Sequence, residues 1–199
     1  MSRCIDLQAE MDLASDALTP RRLMDAGLDW EAAMTAGGIG LLRAEIHADS
    51  AFQPVPEGGQ PLWCLPCFYG PIQPSTLADI VAWSPATPDC WYRRTGLAAV
   101  LGYVNVQRCR ASVWDFGGDE PLPPPTLTLH PTPKHYALAG FDGAVILDWE
   151  FGPPELEGVE QVHCGVHVDL AEKLDHHLQR RQPTLPKILV HDQRKARAA

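Results

Sequence analysis

The chain has 199 residues, of which 45% are apolar, 21% charged and 8% aromatic. That is the composition of a folded globular domain, and it excludes disorder, collagen-like repeats and a coiled coil. The formal charge is −9 but unevenly spread: from Lys173 to Ala199 seven basic residues face two acids, a balance of +5, which leaves −14 for residues 1–172.

The longest nearly apolar stretch, Leu97 to Val104, is only eight residues long. A bilayer-spanning helix needs roughly 20, so no membrane span is expected. Residues 1–13 carry Asp6, Glu10 and Asp12 and lack the apolar core of a secretory leader, which gives the expectation of a cytoplasmic protein. In a reducing compartment the six cysteines, Cys4, Cys64, Cys67, Cys90, Cys109 and Cys164, are expected as thiols or ligands and not as crosslinks. The length suits one domain, residues 1–192, followed by a frayed basic tail, 193–199. An acidic body repels a phosphate backbone, so a nucleic-acid contact is expected through Arg194, Lys195 and Arg197 and should weaken with salt.

In chain order, the amino-terminal third reads as helical. Ile5 to Leu18 is acidic, with apolar residues at mixed helical spacings. Thr19-Pro20 caps a helix that Gly27 ends, and Asp29 caps another over Trp30 to Ala36 that Gly37-Gly38 ends. From Gly40 the period changes: Leu42, Ala44 and Ile46 alternate with Arg43, Glu45 and His47, as in a strand with one wet face. Leu62 to Tyr69 and Leu77 to Trp83 read as an antiparallel pair, in which Pro66 argues for an edge position or a bulge.

Leu97 to Leu101 reads as a short Ala/Leu helix, and Asn105 as the cap of another. Thr126 to His130 is extended, Thr132-Pro133 opens a helix of one or two turns that closes at Gly140, and Ala144 to Trp149 is a continuous buried strand. Val159 to Asp169 is a strand feeding a helix capped by Asp169 and Glu172, with Leu170, Leu174 and Leu178 as its apolar stripe. A last short strand is expected at Lys187 to Val190. The fold expected is α+β: a helical amino-terminal third, then one mostly antiparallel or mixed sheet with short helices packed on it.

Four constellations carry chemistry. The string Trp63-Cys64-Leu65-Pro66-Cys67 resembles the active site of thioredoxin-like oxidoreductases, in which a helix N-terminus lowers the pKa of the first cysteine. Here Gly70 and Pro71 stand where that helix would continue. If the segment is extended instead, Cys64 and Cys67 point to opposite faces and serve as packed thiols. Asp148 and Glu150 alternate at the end of an apolar run, the arrangement by which a strand offers oxygen ligands to a divalent ion, although strand ends also carry acids for solubility.

His167 and Asp169, roughly 7 Å apart on a strand, could share that ion, whereas His163 lies about 13 Å from His167. Asp169 has a competing role as a helix cap. His176 and His177 read as surface and rim residues of the last helix. Trp91, Tyr92, Arg93 and Arg94 mix aromatic and basic side chains as a protein or nucleobase contact would, against the alternative that the aromatics are core.

No G-x-S-x-G elbow, Walker loop or H-E-x-x-H helix is present. The expected function is therefore a non-enzymatic binding or accessory module, without a cofactor, that contacts a protein or nucleic acid. Two enzymatic alternatives remain: a metal-dependent, nuclease-like hydrolase at Asp148, Glu150, His167 and Asp169, and a thiol oxidoreductase at Cys64 and Cys67.

Overall fold

Three short helices open the chain: α1 (Leu7–Asp16), α2 (Pro20–Asp25) and α3 (Trp30–Thr35). The computed structural model describes residues 5–69, 76–102, 126–156, 159–179 and 187–189. Each opening helix starts on a side-chain cap, which satisfies an amide that the first turn leaves without a partner. The Asp6 carboxylate accepts from the Ala9 N–H, the Thr19 hydroxyl oxygen from Arg22 N–H, and Asp29 from Ala32 N–H at 2.7 Å. Gly27, at φ +74°, ends α2 in the left-handed conformation that glycine adopts without strain. The helical stretch is shorter than the expected amino-terminal third, because strands β1 (Gly40–Ile46) and β2 (Phe52–Pro54) already lie within it.

With β3 (Gln60–Tyr69), β4 (Thr76–Ser84) and β5 (Thr87–Arg93), these strands form a five-stranded antiparallel sheet in the order β2-β1-β3-β4-β5. Its outer edges meet at one corner. Ala51, just before β2, bridges Arg93 at the end of β5, and the Arg93 N–H donates to the Ser50 carbonyl at 3.1 Å. Pro66 sits in the central strand, but β1 pairs only with Gln60 to Cys64. Beyond that point β3 is locally an edge, and a bulge at Cys67/Phe68 follows, so the missing proline N–H costs no ladder bond to β1.

Both faces of this sheet are covered. On one, Met11 and Ala14 of α1 pack on Ala44, Phe52, Leu62, Cys64, Ile80 and Ala82. On the other, Leu23 of α2 and Ala33 of α3 pack on Leu65, Cys67, Val81 and Trp83, joined by Tyr136 and Ala137 of α4 (Pro133–Leu138). The third core lies under α5 (Val168–Gln179), where Ala171, Leu174 and Leu178 meet Leu127, Leu129, Val162 and Cys164.

Where a single sheet is expected, the described residues form three. A parallel sheet runs β10-β9-β7, built from β7 (Thr126–Thr128), β9 (Gln161–His163) and β10 (Lys187–Leu189). A two-stranded ladder joins β6 (Val100–Leu101) to β8 (Val145–Ile146). The class remains α+β.

Three local expectations are corrected, each because backbone N–H groups find other acceptors. Residues 97–101 do not form a helix: the Ala98 N–H goes to the buried Asp79 carboxylate and the Leu97 N–H to the Thr95 hydroxyl. The buried strand ends at Ile146, not Trp149, since the Leu147 and Asp148 N–H groups both turn to the Ala99 carbonyl. The strand before α5 ends at His163, followed by a turn in which the His167 N–H donates to the Cys164 carbonyl. The helix expected from Asn105 and the tail at 193–199 lie outside the described residues, as do Arg194, Lys195 and Arg197.

Candidate functional site

The four residues expected as a binding surface stand at the end of β5 and just beyond it, all half-buried. Trp91 packs on the core shared with α2 and α3, and Tyr92 on the core under α1. The Arg93 guanidinium donates to the Ala98 carbonyl at 3.1 Å and pairs with Asp148 at 3.4 Å. Arg94 grips Glu10 with two charge-assisted bonds, Nε to Oε2 at 2.7 Å and Nη2 to Oε1 at 2.9 Å. Both cations therefore fasten one segment of the chain to another.

The thiols of Cys64 and Cys67 project from opposite faces of β3 into different cores. Burial pushes the Cys64 thiol up to about 12 and the Cys67 thiol well above its ordinary value, with the neighbouring Asp79 carboxylate adding to the rise at Cys67. A neutral thiol in an apolar core is a poor nucleophile. A cavity beside Cys67, lined also by Leu65, Leu101, Tyr136 and Phe141, has a volume of about 20 Å³, room for a single water.

The four carboxylate and imidazole candidates for a metal ion are not gathered. Asp148 accepts from the Glu150 and Phe151 N–H groups through Oδ1 and from Arg93 through Oδ2, so its oxygens hold a turn. Glu150 is exposed. Because α5 starts at Val168, Asp169 falls inside its first turn and not at the cap, and the His167 carbonyl accepts the first helical bond, from Ala171. Among the described residues no three His, Cys, Asp or Glu side chains stand where they could hold one ion.

The helices carry a set of exposed apolar side chains. Met24 of α2 is 75% exposed, and Trp30 and Met34, one turn apart on α3, are 43% and 54% exposed. The reason is local. Ala33 of α3 is fully buried, so the helix lies close against its neighbours through small residues and its large side chains are left facing out. Leu138, 47% exposed at the end of α4, reaches the same region: a Cβ built on Gly27, between α2 and α3, would lie 3.6 Å from the Leu138 Cδ2.

One turn back from Leu138 on α4, the His135 ring meets that of His167 edge to face, with centroids 5.5 Å apart. His167 is flanked by Val166 and Val168, both about half exposed. Leu138 of α4 thus borders the turn between α2 and α3, and the half-buried His135 meets His167 ahead of α5.

Two further histidine interactions frame this strip. The His135 Nδ1 lies 2.8 Å from the Thr132 hydroxyl, and the His130 Nε2–H donates to the Asp142 carbonyl at 2.8 Å. Burial is the main cause that lowers both imidazoles below their ordinary value, and His167 lowers them further by charge repulsion. Midway along α5, Lys173 Nζ stands 4.1 Å over the Trp149 ring, which also contacts His177 one turn on.

Sequence reasoning passed over Met24, Met34, His130 and His135. The string from His130 to His135 contains the helix start at Thr132-Pro133, but its histidines gain meaning only once β7 and β9 are known to run parallel. Strands β7 and β9 then lead into α4 and α5 from the same end of the sheet. Among the described residues no helix is long and apolar enough to cross a membrane. Comparison of the chain with protein families, with curated proteins and with solved structures finds no significant match.

Proposed function

We propose that the chain is a binding module that docks a protein through the apolar strip of α2, α3 and the end of α4. The observation that carries this reading is the outward placement of Met24, Trp30, Met34 and Leu138. Large apolar side chains grouped on a surface mark contact sites, and tryptophan and methionine are enriched at such interfaces. Asp25, Asp29 and Glu31 stand beside the strip in the chain, and residues 1–172 carry −14. That charge favours a partner whose apolar face is bordered by basic residues, an amphipathic Lys/Leu-type helix being the simplest example.

The test uses such a helix as a synthetic probe with the full chain, read by tryptophan fluorescence and calorimetry. Saturable binding that weakens with salt, and falls at least tenfold in Met34→Glu, supports the reading. Binding that Met34→Glu leaves unchanged, or no binding at all, overturns it. Concentration-dependent dimerisation of the chain, abolished by Met34→Glu, would overturn the basic-partner assignment by showing that a second copy covers the strip.

A further inference from the structure

Two strand–loop–helix units leave the same end of the parallel sheet, β7 into α4 and β9 into α5; the strands share one core, but the helices pack in different ones. Tyr136 and Ala137 of α4 pack with the five-stranded sheet, whereas Leu174 and Leu178 of α5 pack over β7 and β9. Across that boundary His135 of α4 touches His167 at the start of α5, rings 5.5 Å apart at an interplanar angle of 78°. We propose that this ring pair, with His130 behind it, is an acid-opened clasp that holds the start of α5 against α4 while the imidazoles are neutral. It does not depend on what occupies the apolar strip.

The geometry gives the clasp its sign. Neutral aromatic rings attract edge to face, because the positive edge of one meets the negative face of the other. Two imidazolium rings at this separation repel. Neither neighbouring histidine is untethered: the Thr132 hydroxyl engages the His135 Nδ1, and the Asp142 carbonyl engages His130.

The charged groups acting on these rings come from several elements. Asp89 of β5 favours a proton on His135, and Asp142, in the loop after α4, favours one on His130. Lys134 opposes it at His135, as His167 does at both and His135 does at His130. Asp169 and Glu172 lie on the first turn of α5 itself. Burial outweighs the acids at His130 and His135, so both bind a proton less readily folded than unfolded. Stability from the clasp is then complete above the unfolded value of about 6.5 and is lost as the pH falls through it toward the lowered folded values.

The test is a histidine titration of the full chain by NMR from pH 8 to 4.5, with amide exchange of α5 followed across the same range. The expected result is a His135 midpoint below 6.5 that rises by a few tenths of a pH unit in His167→Gln, and faster exchange in α5 as His135 protonates. A His135 midpoint at or above 6.5, or one that His167→Gln does not move, overturns the clasp. So does α5 exchange that is the same at pH 7.5 and pH 5. Should His167→Gln fail to fold, the wild-type titration and exchange decide alone.

Discussion

Asp79 is a carboxylate with no exposure, and three backbone N–H groups donate to it. Its Oδ1 accepts from the Ile80 N–H at 2.9 Å and the Thr95 N–H at 2.8 Å, and its Oδ2 from the Ala98 N–H at 3.1 Å. One side chain thus supplies acceptors for three amides, one in β4 and two at or just before the stretch 97–101, which reads as helical but has no helical acceptors to offer. Truncation to alanine leaves those amides without a partner, two of them far along the chain from the substitution. Each orphaned buried donor costs about 1–3 kcal/mol, so Asp79→Ala is expected to lower stability by about 3–5 kcal/mol. Asp79→Asn keeps one acceptor oxygen but turns an NH₂ toward donors, and should lose roughly 1–3 kcal/mol on the same grounds. Urea unfolding checks both: the midpoint should fall in the order wild type, Asn, Ala with little change in slope. A wild-type midpoint for Asp79→Ala would contradict the assignment.

At the scale of elements, α1 is fastened to the sheet by apolar packing on one side and by one ion pair at its margin. Glu10 and Arg94 are 84 positions apart in the chain, and their side chains are only 21% and 14% exposed. Breaking a paired, partly buried arginine leaves a carboxylate short of solvent and partner. Arg94→Ala should therefore cost about 1–3 kcal/mol, more than a surface pair and less than a fully buried one. Arg94→Lys should restore only part of this, because an ammonium cannot match both carboxylate oxygens at once. Hydrogen exchange provides the readout: protection in α1 should fall in Arg94→Ala while protection in β3 and β4 holds.

Helix starts were legible because their signals are local. Thr19-Pro20, Asp29 and Thr132-Pro133 all carry caps or first-turn prolines where the structure has them. The direction of the helix faces was not legible. In α3 the usual inference puts Trp30 and Met34 inside, but close approach selected Ala33 for the interior and left the large residues out. The role of Arg93 and Arg94 was hidden for a related reason, since their partners Asp148 and Glu10 are brought near only by the fold.

In the whole molecule the two-pair β6–β8 ladder serves both the second and the third core. In β6 and β8, Leu101 and Val145 face the core under α3 and α4, while their neighbours Val100 and Ile146 face the core under α5. The run from Ala144 to Leu147 is apolar at every position, which in sequence states burial on both sides but not that the sides belong to different cores. Because adjacent residues of one short strand serve both, neither core can lose its packing without straining the other. Ile146 is 2% exposed, and its Cγ2 would lie 2.7 Å from a Cβ built on Gly152, so the site is tightly filled. Ile146→Ala is expected to cost about 2–4 kcal/mol through lost burial and the void left behind. The loss should be felt as one event: Trp83, buried in the core that Ile146 does not enter, should report by fluorescence the same lowered urea midpoint that far-UV circular dichroism gives for the chain. Two separated transitions in Ile146→Ala would instead mean that the cores unfold independently and that the β6–β8 ladder is a tether between them.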